Sequence, residues 1–188
     1  IDACLVGSEM CIRDRINSTS FAISRDELKP ALTGVLLQIK EDRTVAVSTD
    51  GHRLVKQTRN DFGASGTTVD IIVPKKFLNY LSSHINKNEI SLSFNSSQLT
   101  AKVKKDTITT RLINEVFPNY QSVIPTDNKN KLKVDKTDLL GAIKRVSIFS
   151  NKSTHQVALS LSENECKLTT EDPEKSSKAQ EKLTADYK

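Results

Sequence analysis

Three stretches of the chain alternate apolar and polar residues with a period of two and then break into a short polar run. Val35, Leu37 and Ile39 lead into Lys40-Glu41-Asp42-Arg43; Ile90, Leu92 and Phe94 lead into Asn95-Ser96-Ser97-Gln98; Val157, Leu159 and Leu161 lead into Ser162-Glu163-Asn164-Glu165. Successive side chains of a strand point to opposite faces, so each triplet predicts one buried sheet face and each polar run predicts the turn of a hairpin. Ahead of each hairpin lies a segment of helical character: the tail Ile16 to Ser24, then Pro74 to Ile85, then Thr137 to Phe149. In the second, Phe77, Leu78, Leu81 and Ile85 share one helical face, and Pro74 suits a first helical position, where its missing N–H is no loss. In the third, Leu139, Ile143 and Val146 form the stripe, with Asp138 near the start. Helices laid on antiparallel sheets predict an α+β fold.

The first and third copies are 122 residues apart (Val35 to Val157), and the second follows the first by 55 (Val35 to Ile90). A unit of that smaller length, doubled, makes a domain, which fits a ring of repeated domains better than a solenoid. The polar connector around Pro125, Thr126, Asp127, Asn128 and Asn130 separates residues 16–127 from residues 128–188, the second stretch holding about half of the repeat.

Residues 1–15, "IDACLVGSEMCIRDR", show neither period and hold the single Met and two of the three Cys. Leu5 to Asp14 resembles the in-frame translation of a transposase-type sequencing adapter. That reading sets residues 1–15 outside the fold; a natural flexible arm is the alternative.

Charge and composition narrow the classes. Lys plus Arg number 28 against 23 Asp plus Glu, giving +5 and a pI near 9.1, a mild lean toward a polyanionic partner. Cys4, Cys11 and Cys166 form no C-x-x-C pair, and His52, His84 and His155 are scattered, so neither a disulfide framework nor a metal site is expected. No apolar run approaches the roughly 18 residues of a membrane span, and no secretory leader is legible, which predicts a soluble intracellular protein. The sequons at Asn17, Asn95 and Asn151 then carry no weight.

The densest polar chemistry is "STDGHRLV", Ser48 to Val55. One reading is a hydrolase built on Ser48, Asp50 and His52. Same-face neighbours on a strand sit about 6.6 Å apart and point in parallel, whereas a nucleophile and its base must converge to about 3 Å. The other reading is a docking surface: Gly51 exposes backbone, Leu32 and Leu54 form an apolar floor, Pro118 and Val123 a wall, and His52 and Arg53 a polar rim. A stand-alone nucleic-acid-binding β-domain is a third.

Four motifs together are specific. "PALTGVLLQI" from Pro30, "VSTDGHRLV" from Val47, "FPNYQSVIP" from Phe117 and "AIKRVSIFSN" from Ala142 occur in the order and spacing of the bacterial DNA polymerase III beta subunit, and residues 16–188 resemble that family of replicative sliding clamps. The resemblance implies the DNA clamp fold: residues 16–127 are a middle domain lacking its first strand, and residues 128–188 the start of a C-terminal domain. It further implies a homodimeric ring of like domains around duplex DNA, with helices on one face of the sheets lining the hole. No catalytic residue and no cofactor are implied. The expected partners are DNA, the polymerase alpha subunit, the clamp loader, and other polymerases and repair proteins that dock short linear peptides, in the bacterial cytoplasm. By residue identity the peptide groove between the middle and last domains takes Leu32, Thr49, Gly51, His52, Arg53, Leu54, Pro118 and Val123; Lys29 and Ser122 stand where some members have arginines. The DNA-facing candidates are Lys75 and Lys76, set in a first helical turn where the macrodipole disfavours cations by about 0.3–1 kcal/mol each, and Lys144 and Arg145 on the third helix.

Overall fold

The computed structural model describes residues 16–60, 68–84 and 90–188, together with residues 3–7 by their backbone. It divides into two units, Ile1–Asn119 and Tyr120–Lys188. The division falls ahead of the polar connector at Pro125 to Asn130, because the buried Tyr120 already belongs to the second unit.

Unit 1 holds two antiparallel four-stranded sheets. The first has the order β4 (Leu54–Arg59), β3 (Thr44–Thr49), β2 (Gly34–Ile39), β5 (Val69–Pro74). The second runs β1 (Ala3–Gly7), β6 (Ile90–Phe94), β7 (Gln98–Val103), β8 (Asp106–Arg111). The helix α1 (Lys75–His84) follows β5 directly and buries Phe77, Leu78 and Leu81. Ile85 lies outside the described residues, and Pro74 ends the strand rather than opening the helix. Its fixed φ and absent N–H suit a strand end at a sheet edge as well as a helix start.

The second predicted hairpin forms in register. Ile90 faces Val103, Leu92 faces Ala101 and Phe94 faces Leu99, and all six are buried, so one whole face of β6–β7 enters the core. Asn95 closes the turn: its Oδ1 accepts the N–H groups of Ser97 at 2.9 Å and Gln98 at 2.8 Å. In the first hairpin Val35 and Ile39 enter the same core while Leu37 packs at its margin. Leu36 is buried on the other face, with Val47 and Ile72 opposite it in the register. The strand is therefore covered on both sides. The segment after β8 crosses there, Ile113 donating its N–H to the Ile72 carbonyl at 3.0 Å. Gly34 permits this approach, since a Cβ would lie 2.5 Å from the Val73 carbonyl oxygen and 3.0 Å from Ile113 Cδ1.

Two expectations change in this unit. Ala3–Gly7 pairs with Ile90–Phe94, so those five residues stand within a sheet rather than outside the fold. An edge strand is held by backbone hydrogen bonds and needs no side-chain period. Residues 8–15 lie outside the described residues. The tail 16–24 is helical over residues 16–19, then tightens into a 3-10 turn at Ser20–Ala22 and becomes extended at Ile23.

Unit 2 packs α2 (Lys136–Ser147) on a three-stranded antiparallel sheet of order β10 (Ala158–Ser162), β11 (Glu165–Asp172), β12 (Ser177–Thr184). A two-stranded pair joins β9 (Leu132–Lys133) to β13 (Asp186–Tyr187). Asp135 caps α2, its Oδ1 accepting from Thr137 N at 2.7 Å and Asp138 N at 3.0 Å. Ala142 and Val146 meet Cys166, Leu168 and Ala185 in the core. The third triplet departs from its predicted burial: Leu159 is 46% and Leu161 38% exposed. Their cross-strand partners, Leu168 and Cys166, are fully buried. The helix lies against β11 and β12, so its cover stops short of the β10 edge.

Candidate functional site

The polar stretch after β3 folds as a tight reversal into β4, with Thr49 paired to Leu54. Gly51 adopts φ 91°, a left-handed conformation that a β-carbon would strain. Its N–H is taken by the Thr49 hydroxyl at 3.1 Å. The two carboxylate oxygens of Asp50 divide the rest. Oδ1 accepts the backbone N–H groups of His52 at 3.0 Å and Arg53 at 2.8 Å. Oδ2 accepts Arg53 Nε at 3.0 Å and Nη2 at 2.8 Å. These donors, the Arg53 backbone N–H foremost and then its guanidinium, hold the Asp50 carboxyl far below the ordinary value of 3.8.

That arrangement decides between the chemical readings. Asp50 meets His52 through the backbone N–H and directs its remaining acceptor at Arg53, so it does not orient an imidazole. Ser48 is fully buried and donates its hydroxyl to the Thr19 carbonyl at 2.6 Å. The geometry assembles a rigid turn instead of a catalytic dyad.

A residue that sequence reasoning passed over joins this turn. The Arg53 guanidinium carbon stands 5.9 Å from the ring centroid of Phe21, whose side chain is 57% exposed. The segment tightens at Ser20–Ala22, and that turn lies against β3. Read as continuous helix, Phe21 had no recognisable role.

The other groove candidates fall as follows. Leu32 is buried in the 3-10 turn Pro30–Thr33, fixed by its own N–H on the Lys29 carbonyl at 2.9 Å and by Ser24 N donating to its carbonyl at 2.9 Å. Lys29 is exposed and stands 3.9 Å from Asp26. Leu54 is half-buried, while His52 and Pro118 are exposed. Unit 1 thus brings Thr49, Gly51, His52, Arg53 and Leu54 together in one turn. Ser122 and Val123 belong to the opening 3-10 turn of unit 2, Tyr120–Val123, where Val123 is 68% exposed.

Among the cation candidates, Lys75 and Lys76 occupy the first turn of α1, which carries no acidic residue, and neither forms an ion pair among the described residues. Lys144 is exposed in the last turn of α2, where the macrodipole favours it. Arg145, expected beside it as a free cation, instead grips Glu181 of β12 with Nε on Oε2 at 3.1 Å and Nη2 on Oε1. This fork raises the Arg145 pKa and lowers that of Glu181, each through the hydrogen bond to the other. It ties helix to sheet, and its charge is already answered.

The model of the DNA polymerase III beta subunit central domain matches residues 8–119, and that of the C-terminal domain matches residues 121–188. The chain belongs to the DNA polymerase III beta subunit family. Its relatives include the beta sliding clamp of Chlamydia muridarum, 31% identical over 159 residues that make 84% of this chain and 43% of the relative. The beta sliding clamp of Pseudomonas putida is 29% identical over 178 residues, 94% of this chain and 48% of the relative. Among solved structures, the DNA polymerase sliding clamp of Pseudomonas aeruginosa superposes with a TM-score of 0.90 at 26% identity, covering 99% of this chain and 52% of that one. The sliding clamp of Bartonella birtlesii bound to griselimycin gives 0.87 at 28% identity, covering 99% and 51%. The sliding-clamp fold is therefore that of this chain, which spans about half the length of the relatives it matches. Among the described residues, no helix is long and apolar enough to cross a membrane.

Proposed function

We propose that the chain is part of a bacterial processivity clamp, a cytoplasmic protein that encircles duplex DNA without sequence preference and tethers the replicative polymerase. The observation that carries the reading is that two consecutive clamp domain models match in chain order, one to each structural unit. Such a protein performs no bond chemistry; its work is to keep another enzyme's substrate within reach. Sliding requires phosphate contacts that are individually weak and carry no base code, since a bidentate base contact is worth about 1–3 kcal/mol and would halt the clamp. Lys75, Lys76 and Lys144 supply point charges of that kind. Arg145, bound by Glu181, contributes less.

The tether is a set of short linear peptides from the polymerase alpha subunit, the clamp loader and repair proteins. The half-buried Leu54 provides apolar anchorage within the Thr49–Leu54 turn, with His52 and Arg53 at the polar rim, and Leu32 and Lys29 are assigned to the same surface by the family resemblance. Pro118, Ser122 and Val123 are assigned to the same role by the family resemblance. Closure into a homodimeric ring needs apolar surface on the last domain, and unit 2 leaves Ile148, Phe149, Leu159 and Leu161 exposed. The test is primer extension on a circular single-stranded template with a bacterial replicative polymerase and clamp loader. Adding the complete reading frame that contains this chain lengthens the products per binding event; unchanged product lengths contradict the proposal.

A further inference from the structure

Arg53 is held from two sides, and the way it is held fixes what it can recognise. Asp50 Oδ2 takes its Nε–H and one Nη2–H, and the Phe21 ring lies 5.9 Å from the guanidinium carbon. Of the five guanidinium N–H groups, two are spent on Asp50, and among the described residues the other three meet no acceptor and can point outward. Asp50 is only 17% exposed while Arg53 is 60% exposed, so the carboxylate forms the shielded side of the pair and the free donors face solvent. The charge is matched at contact distance, 2.8 Å. We propose that Asp50 and Phe21 are positioning residues that convert Arg53 from a general cation into a pre-aimed donor for a neutral carbonyl, a backbone or carboxamide oxygen of an extended peptide, and that they thereby turn away acidic side chains at that position. The inference rests on the reading of the Thr49–Leu54 turn as a peptide-docking surface and adds its selectivity.

The division of labour between the Asp50 oxygens makes this testable. Asp50→Asn keeps Oδ1, which orders the turn through the His52 and Arg53 N–H groups, and replaces Oδ2, which clamps the guanidinium, by an NH2 that cannot accept. Phe21→Leu removes the ring face but keeps apolar bulk. The probe is a fluorescein-labelled peptide containing Gln followed by Leu and Phe, with a companion set in which each residue in turn is Glu, measured by anisotropy on the complete reading frame.

In the wild-type protein, Glu is expected to bind no better than the parent residue at any position. In Asp50→Asn the parent peptide weakens about 5-fold to 10-fold, and at one position the Glu peptide gains several-fold in a salt-sensitive way, because Arg53 is now an uncompensated cation. Phe21→Leu weakens the parent peptide by a smaller factor. Both effects vanish when Arg53 is already Ala. A loss that persists in the Arg53→Ala background, or the absence of any gain for a Glu peptide, overturns the positioning role. Wild-type protein that fails to bind every peptide overturns the docking reading itself, which separates the two failures.

Discussion

Lys75 and Lys76 make opposite demands on folding and on binding, and replacing both by Ala separates the two. They sit in the first turn of α1 with no acidic residue there to offset them. Against the positive end of the helix dipole each is unfavourable by about 0.3–1 kcal/mol at low ionic strength, so the pair destabilises α1 by roughly 0.5–2 kcal/mol before screening. The double substitution should therefore raise the melting temperature, by about 1–8 °C at roughly 2–4 °C per kcal/mol. DNA binding should move the other way. Each phosphate contact contributes about 0.9 to the slope of log K against log salt, so losing two lowers the slope magnitude by about 1.8. Between 50 and 200 mM salt, that is roughly a tenfold difference in how steeply affinity falls. The assays are a thermal melt and an anisotropy titration on duplex DNA at stepped salt, both with the complete reading frame. An unchanged salt slope removes these lysines from the DNA surface. A lowered melting temperature refutes the dipole argument.

Three further outcomes rest on individual contacts. Leu54→Asp places a charge beside the turn, and should abolish binding of the Gln-Leu-Phe peptide in an anisotropy assay while gel filtration still shows the assembled state. Gly34→Ala drives a methyl to 2.5 Å from the Val73 carbonyl oxygen in extended backbone, and should destabilise by about 1–3 kcal/mol in urea unfolding. Glu181 has its pKa lowered by Arg145, so the pair contributes stability above the ordinary Glu value of 4.5 and loses it as pH falls through the depressed value. Wild type should therefore melt above Glu181→Gln at pH 7, with the gap closing in acid; a gap constant with pH contradicts the linkage.

Which features could be read from the sequence follows from where their causes lie. The β6–β7 hairpin was legible because its buried face, its turn residue Asn95 and its cross-strand partners all lie within Ile90–Val103, so local pattern and tertiary packing agree. The β10 face was not, since the pattern gives alternation but not the extent of a covering helix. The same limit hid the burial of Leu36 on the second face of β2, since Ile113, which reaches Gly34 of that strand, lies far away in sequence. At the candidate site, the residues of the Thr49–Leu54 stretch stood out by their density of polar chemistry, but the turn they build, braced from Asp50 to Arg53, did not. Phe21 did not, because its outward setting depends on a helix tightening into a 3-10 turn. Nor did the partner of Arg145, which is Glu181, on a strand distant in sequence. The Asp-Gly-His-Arg cluster looked like chemistry in one dimension, and in three its carboxylate proved to be the brace of a turn.

Encirclement is a topological property, and retention on DNA reports it. The complete reading frame, labelled and loaded by a clamp loader onto nicked circular DNA, is followed through a sizing column before and after the circle is cut once by a restriction enzyme. A protein that encircles the duplex stays with the circle in high salt and is lost after linearisation. Equal retention on linear and circular DNA would contradict the account.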